Sequence, residues 1–122
     1  MLINLSYHPS DRWSEEQKQA ARAYGKIVDM TFPTIDPEAS IEDVKKMVES
    51  FVFQALQLLA ESSNEQNAIH VMGEMTFVYQ FVKLMHARGV PCLASTTRRM
   101  VEENNSGEKY SKFEFVQFRQ YE

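Results

Sequence analysis

The chain has 122 residues, 43% of them hydrophobic, with 13 lysines and arginines against 17 aspartates and glutamates and a net charge of −4. That is one domain's worth of chain with enough apolar material for a core. The acidic balance argues against duplex nucleic acid as a partner, and no apolar run is long enough to cross a bilayer. The start, Met1-Leu-Ile-Asn-Leu-Ser6, lacks the features of a signal peptide, and the lone Cys92 excludes an intrachain disulfide or a cysteine-based zinc site. A cytoplasmic protein is expected.

Leu2 to Tyr7 predicts a first strand, closed by His8-Pro9-Ser10. A helix follows with Trp13, Gln17, Ala20, Ala21 and Tyr24 on one face. Ser14 and Gln17 have capping-box spacing, and Gly25 is the stop. Lys26 to Phe32 predicts strand two, and the two prolines of Pro33 to Ala39 bar regular structure after it. Ser40 caps a long helix whose stripe is Val44, Met47, Val48, Phe51, Ala55, Leu58 and Leu59. Phe53 and Leu56 lie off that stripe and suggest an oligomer contact. Glu61 to Gln66 is a polar connection.

Ala68 to Met72 predicts strand three, Glu74 to Arg88 a third helix stopped by Gly89, and Val90 to Ser95 strand four. Arg98 to Glu103 and Lys109 to Arg119 predict two further strands around the turn Asn104-Asn-Ser-Gly107. In the last strand, strict alternation puts Phe113 and Phe115 on one face and Val116 and Phe118 on the other, so a free solvated edge is not expected. Right-handed crossovers then give an α/β fold: a Rossmann-like three-layer sandwich with a central parallel sheet, order 2-1-3-4, and a C-terminal antiparallel β-hairpin. One domain spans residues 1–122.

Ligands of such sheets bind beyond the carboxyl ends of the strands, at the switch point between strands one and three. That rule selects Tyr7, His8, Ser10 and Arg12 after strand one, and Asp29, Thr31 and Asp36 around strand two. It selects Gly73, Glu74 and Thr76 after strand three, and Ser95, Thr96, Thr97, Arg98 and Arg99 after strand four. Gly73 and the start of helix three offer backbone donors to an anion, and the two arginines match phosphate oxygens. Glu74 opposes an anion there. Plainer roles compete: Gly73 as a tight turn, Ser95 to Thr97 as a polar exit, His8 as a turn residue, His70 as a core or sheet-face histidine, and Cys92 as a buried small hydrophobe. There is no P-loop, no Gly-x-Gly-x-x-Gly, no Gly-x-Ser-x-Gly and no His-Glu-x-x-His. The histidines lack metal-ligand spacing, and no metal or other cofactor is expected.

The segment Glu74-Met-Thr76-Phe-Val-Tyr-Gln80, at the strand-three-to-helix junction, resembles a pattern of small CRISPR-associated Rossmann-like proteins, the CARF sensor domains and ring nucleases. That pattern has Asp or Asn, then Ser or Thr two residues on, then Lys or Arg four beyond. Here the spacing and the hydroxyl match, the acid is Glu74, and Gln80 stands at the basic position. The architectural likeness covers residues 1 to 95. The resemblance implies a cyclic oligoadenylate ligand held across a homodimer by Tyr7 to Ser10 and Gly73 to Thr76. A ring nuclease would add His8 as general base and Arg98 as charge stabiliser. Two other functions fit the residues: a non-enzymatic homo-oligomeric interaction protein, and a hydrolase or transferase acting on a phosphorylated metabolite.

Overall fold

The computed structural model describes residues 1–63 and 66–122, so the predicted polar connection Glu61 to Gln66 lies partly outside the described residues. Among the described residues the elements follow one another as strand β1 (Leu2–Ser6), a 3-10 turn (Ser10–Arg12), helix α1 (Glu15–Arg22), β2 (Ile27–Thr31), α2 (Ile41–Ala60), β3 (Ala68–Val71), α3 (Met75–Ala87), β4 (Cys92–Glu103) and β5 (Lys109–Gln120). They build a five-stranded sheet in the order β2-β1-β3-β4-β5. The first four strands are parallel and β5 runs antiparallel to β4. This is the predicted Rossmann-like α/β sandwich.

The two sheet faces separate by alternation along the strands. Ile3, Leu5, Ile69 and Val71 pack on the α2 and α3 side with Val44, Val48, Phe77 and Phe81. Leu2, Ala68 and Leu93 pack on the α1 side with Trp13 and Ala21. Burying a side chain of this size stabilises by roughly 1.5–3 kcal/mol, so the α2/α3 side holds most of the core's driving force. Ser40 and Asp43 form a reciprocal capping box on α2. The box predicted on α1 is only half made. Ser14 Oγ accepts from the Gln17 amide, but no capping box closes, and the Gln17 side chain turns to Ser95.

Three sequence expectations are corrected. Strand four does not stop at Ser95. It runs unbroken to Glu103, because the polar run Thr96 to Arg99 pairs with β5 along its whole length. The hairpin therefore projects past the carboxyl edge of the parallel sheet. Second, the register slips between Thr96 and Thr97, leaving Val116 without a partner. This bulge puts Phe115 and Phe118 on one face, with ring centroids 5.0 Å apart, where strict alternation separates them. Third, β5 is an edge strand, and Phe113 and Val116 on it are exposed. On α2, Phe53 is exposed as its off-stripe position predicts, whereas Leu56 packs partly into the core.

Candidate functional site

The overhanging hairpin and the loop after β1 enclose a cleft of about 860 Å³ at the carboxyl edge of β1 and β3. Such a volume is within the range of small-molecule sites, and the position is the switch point of the sheet. Of the predicted site residues, Tyr7, His8, Arg12, Gly73, Ser95 and Thr97 line it. Trp13, Lys112 and Phe115 complete much of the wall, and Glu16 and Glu114 also border it.

A row of polar residues runs across the strands and reaches the cleft through His70 and Ser95, which line it. Asp29, Asn4 and His70 stand side by side on β2, β1 and β3, and Ser95 lies beyond them on β4. Asn4 Nδ2 donates to Asp29 Oδ1 at 2.8 Å and to the His8 carbonyl at 2.8 Å. Both partners can only accept, so the orientation of the amide is fixed. Its Oδ1 then accepts from Ser6 Oγ at 2.8 Å and from His70 Nδ1 at 2.9 Å. The proton of neutral His70 must therefore sit on Nδ1. Its Nε2 is an acceptor, and Ser95 Oγ–H donates to it at 2.7 Å. Gln17 Nε2 donates to Ser95 Oγ at 3.0 Å.

His70 is 3% exposed and lies edge-on to Trp13, with ring centroids 5.3 Å apart. Burial, aided by the nearby His8, pushes its pKa down to about 4. At neutral pH the ring is uncharged and the direction of the chain is fixed: each donor points away from Ser95 and toward Asp29. Ser10 closes the other end. Its amide and hydroxyl both donate to the Asp29 carboxylate, at 3.1 and 2.9 Å.

The remaining predicted residues do not converge on the cleft. Glu74 is the N-cap of α3, and its carboxylate accepts from the Thr76 and Phe77 amides at 3.1 and 2.8 Å. Thr76 Oγ1 donates to the same group at 2.6 Å. These hydrogen bonds, the Thr76 hydroxyl first, hold the Glu74 pKa below its ordinary value. A carboxylate of the chain itself thus occupies the helix start where an anion was expected. Gly73 has a different reason to be glycine. A Cβ there would lie 2.4 Å from the ring of buried Phe32. Thr96 ties the bulge to the Gln117 backbone at 3.1 and 3.2 Å. Arg99 donates to Ser111 Oγ across the hairpin, and Arg98 stands opposite Glu114.

Asn4 and Gln17 were not among the predicted site residues. The available signal for Asn4 was a polar residue inside a short buried strand, Leu-Ile-Asn-Leu-Ser, matched by His70 in Ala-Ile-His-Val. Among the described residues, no cluster of His, Cys, Asp and Glu has the arrangement of a metal site, and no helix is long and apolar enough to cross a membrane. A family model described as "Uncharacterized protein MJ1673 family" matches residues 1–119. No curated protein and no solved structure matches the chain.

Proposed function

We propose that the chain, which belongs to the MJ1673 family, binds a phosphate-bearing nucleotide of the cyclic oligoadenylate class, as CARF-like sensors do, with slow phosphodiester cleavage as an accompanying activity. The observation that carries this reading is the make-up of the cleft. Cationic Arg12 and Lys112 border it together with His8, Trp13 and Phe115. Arginine and lysine suit phosphate oxygens, and the aromatic rings suit a base. Glu16 and Glu114 supply acceptors for ribose hydroxyls. In this reading Arg12 takes the charge-stabilising place that the sequence pattern gave to Arg98, and His8 stays the group nearest a ribose hydroxyl.

The ligand is held by two copies of the chain. Phe53 on α2 and Met75 and Tyr79 on α3 are 63%, 83% and 66% exposed, an apolar surface that supports self-association. Light scattering at high micromolar concentration should give twice the chain mass, and a monomer removes the dimer.

Calorimetry with cyclic tetra-adenylate, adenosine monophosphate and inorganic phosphate tests the ligand class. Binding of the cyclic oligonucleotide, weakened at least tenfold in Arg12→Ala, is the expected result. Binding that ignores Arg12 and Lys112 and is lost in Arg98→Ala would return the site to the hairpin face. No binding by any of the three rejects the nucleotide reading.

A further inference from the structure

The nucleotide reading leaves the Asn4–His70–Ser95 chain without a task. Its geometry is that of a nucleophile, a base and an orienting group: 2.7 Å from Ser95 Oγ to His70 Nε2 and 2.9 Å from His70 Nδ1 to Asn4 Oδ1. We propose that Ser95 is a nucleophile toward an ester electrophile, phosphoryl or acyl, seated in the cleft.

The hydrogen-bond inventory of Ser95 carries the argument. Its single hydrogen goes to His70, and one oxygen lone pair takes the Gln17 amide hydrogen. One lone pair remains, on an atom of a residue that lines the cleft. Behind the imidazole the amide of Asn4 donates to the Asp29 carboxylate at 2.8 Å, so negative charge lies one amide away from the imidazolium that would form. The Ser95 backbone N–H donates to the thioether of Met72, at 3.3 Å. A thioether is a weak acceptor, so this donor is easily redirected to a developing oxyanion. The second amide hydrogen of Gln17 is the other donor at hand.

In the step itself, the Ser95 oxygen forms a bond to the phosphorus or carbonyl carbon, and the Ser95 proton moves to His70 Nε2. The bond to the leaving oxygen breaks, and that oxygen takes the proton from His70. Water, activated by the same nitrogen, then hydrolyses the seryl ester and restores the chain. Only an ester electrophile is required, so the inference stands apart from the nucleotide reading.

Treatment of the full chain with a fluorophosphonate probe, read by intact mass and peptide mapping, tests it. The expected result is one adduct, on the peptide that holds Ser95, absent from Ser95→Ala and formed about a hundredfold more slowly by His70→Gln. Gln17→Ala, which lies outside the core, should also slow labelling and serves if His70→Gln fails to fold. Asn4 and Asp29 act through His70 as positioning residues. In Asp29→Asn the acid limb of the labelling profile should move to lower pH, which a purely structural loss would not do. No adduct on the folded wild-type chain, or an adduct that survives in Ser95→Ala, overturns the proposal.

Discussion

Asn4 and Asp29 are register partners on adjacent parallel strands, and the 2.8 Å hydrogen bond between them fixes the protonation of a third residue, His70. The carboxylate can only accept, so the amide must present its nitrogen to β2 and its oxygen to β3. A surface carboxylate thereby dictates the tautomer of a buried imidazole.

His70 should hold its proton on Nδ1 across the neutral range and titrate near pH 4. Nitrogen chemical shifts of the ring check both points. A histidine whose folded pKa lies below its unfolded value of about 6.5 stabilises the fold fully above that unfolded value. The contribution is lost as pH falls from 6.5 through 4, because the unfolded chain then binds the extra proton. The difference amounts to about 3 kcal/mol at most. Urea midpoints at pH 7 and pH 5 should differ accordingly, and equal midpoints would contradict the buried neutral ring.

Asn4→Leu should destabilise the chain by about 3 kcal/mol, because it leaves the buried His70 Nδ1–H without its acceptor and removes partners from Ser6 and Asp29. Equilibrium denaturation measures this. His70 should then lose its single tautomer, visible in the same nitrogen spectrum.

Gly73→Ala should cost about 1–3 kcal/mol by overpacking. The backbone at Gly73 does not have the positive φ of Gly25, Gly89 and Gly107, so the cost comes from the added methyl meeting Phe32. Phe32 cannot move freely, since its ring packs on Phe77 and Tyr7 at centroid distances of 4.8 and 5.0 Å. Phe32→Leu should therefore relieve part of the Gly73→Ala loss. Simple addition of the two losses would exclude the clash.

Glu74→Ala should lower stability by about 1 kcal/mol through loss of the α3 cap. The carboxylate's depressed pKa gives this contribution a pH limit. It is present above the ordinary carboxylate range and lost as pH falls through the folded value. Thermal unfolding of the variant and the wild type should converge in acid.

The parallel frame was legible in the sequence because each helix has a 3.6-residue apolar stripe and each strand a short apolar run. The hairpin was legible only in part. Thr96 and Thr97 have no apolar alternation and read as a break between two predicted strands, yet cross-strand pairing with β5 makes them part of one strand. The anion cradle failed to assemble for a local reason: Glu74 reaches its own helix amides at short range, before any ligand. The Asn4–His70–Ser95 row could not be read in one dimension. Its members are 66 and 25 residues apart, and only the strand order 2-1-3-4 makes them neighbours.

The unpaired Val116 separates two properties of the hairpin that usually change together: which side chains face the cleft, and where the hairpin aims. A chain lacking Val116 would pair Gln117 with Thr96 and Phe115 with Thr97 as neighbours in an unbroken ladder. Phe115 and Phe118 would keep their present side, since parity along β5 would then be regular. The bend that a bulge imposes would be gone, and with it the inclination of the overhang toward the loop after β1. Removing one residue would thus leave the chemistry of the wall intact and alter the width of the cleft. An extra residue placed opposite, between Thr96 and Thr97, would restore the one-to-one count and straighten the overhang by the complementary route.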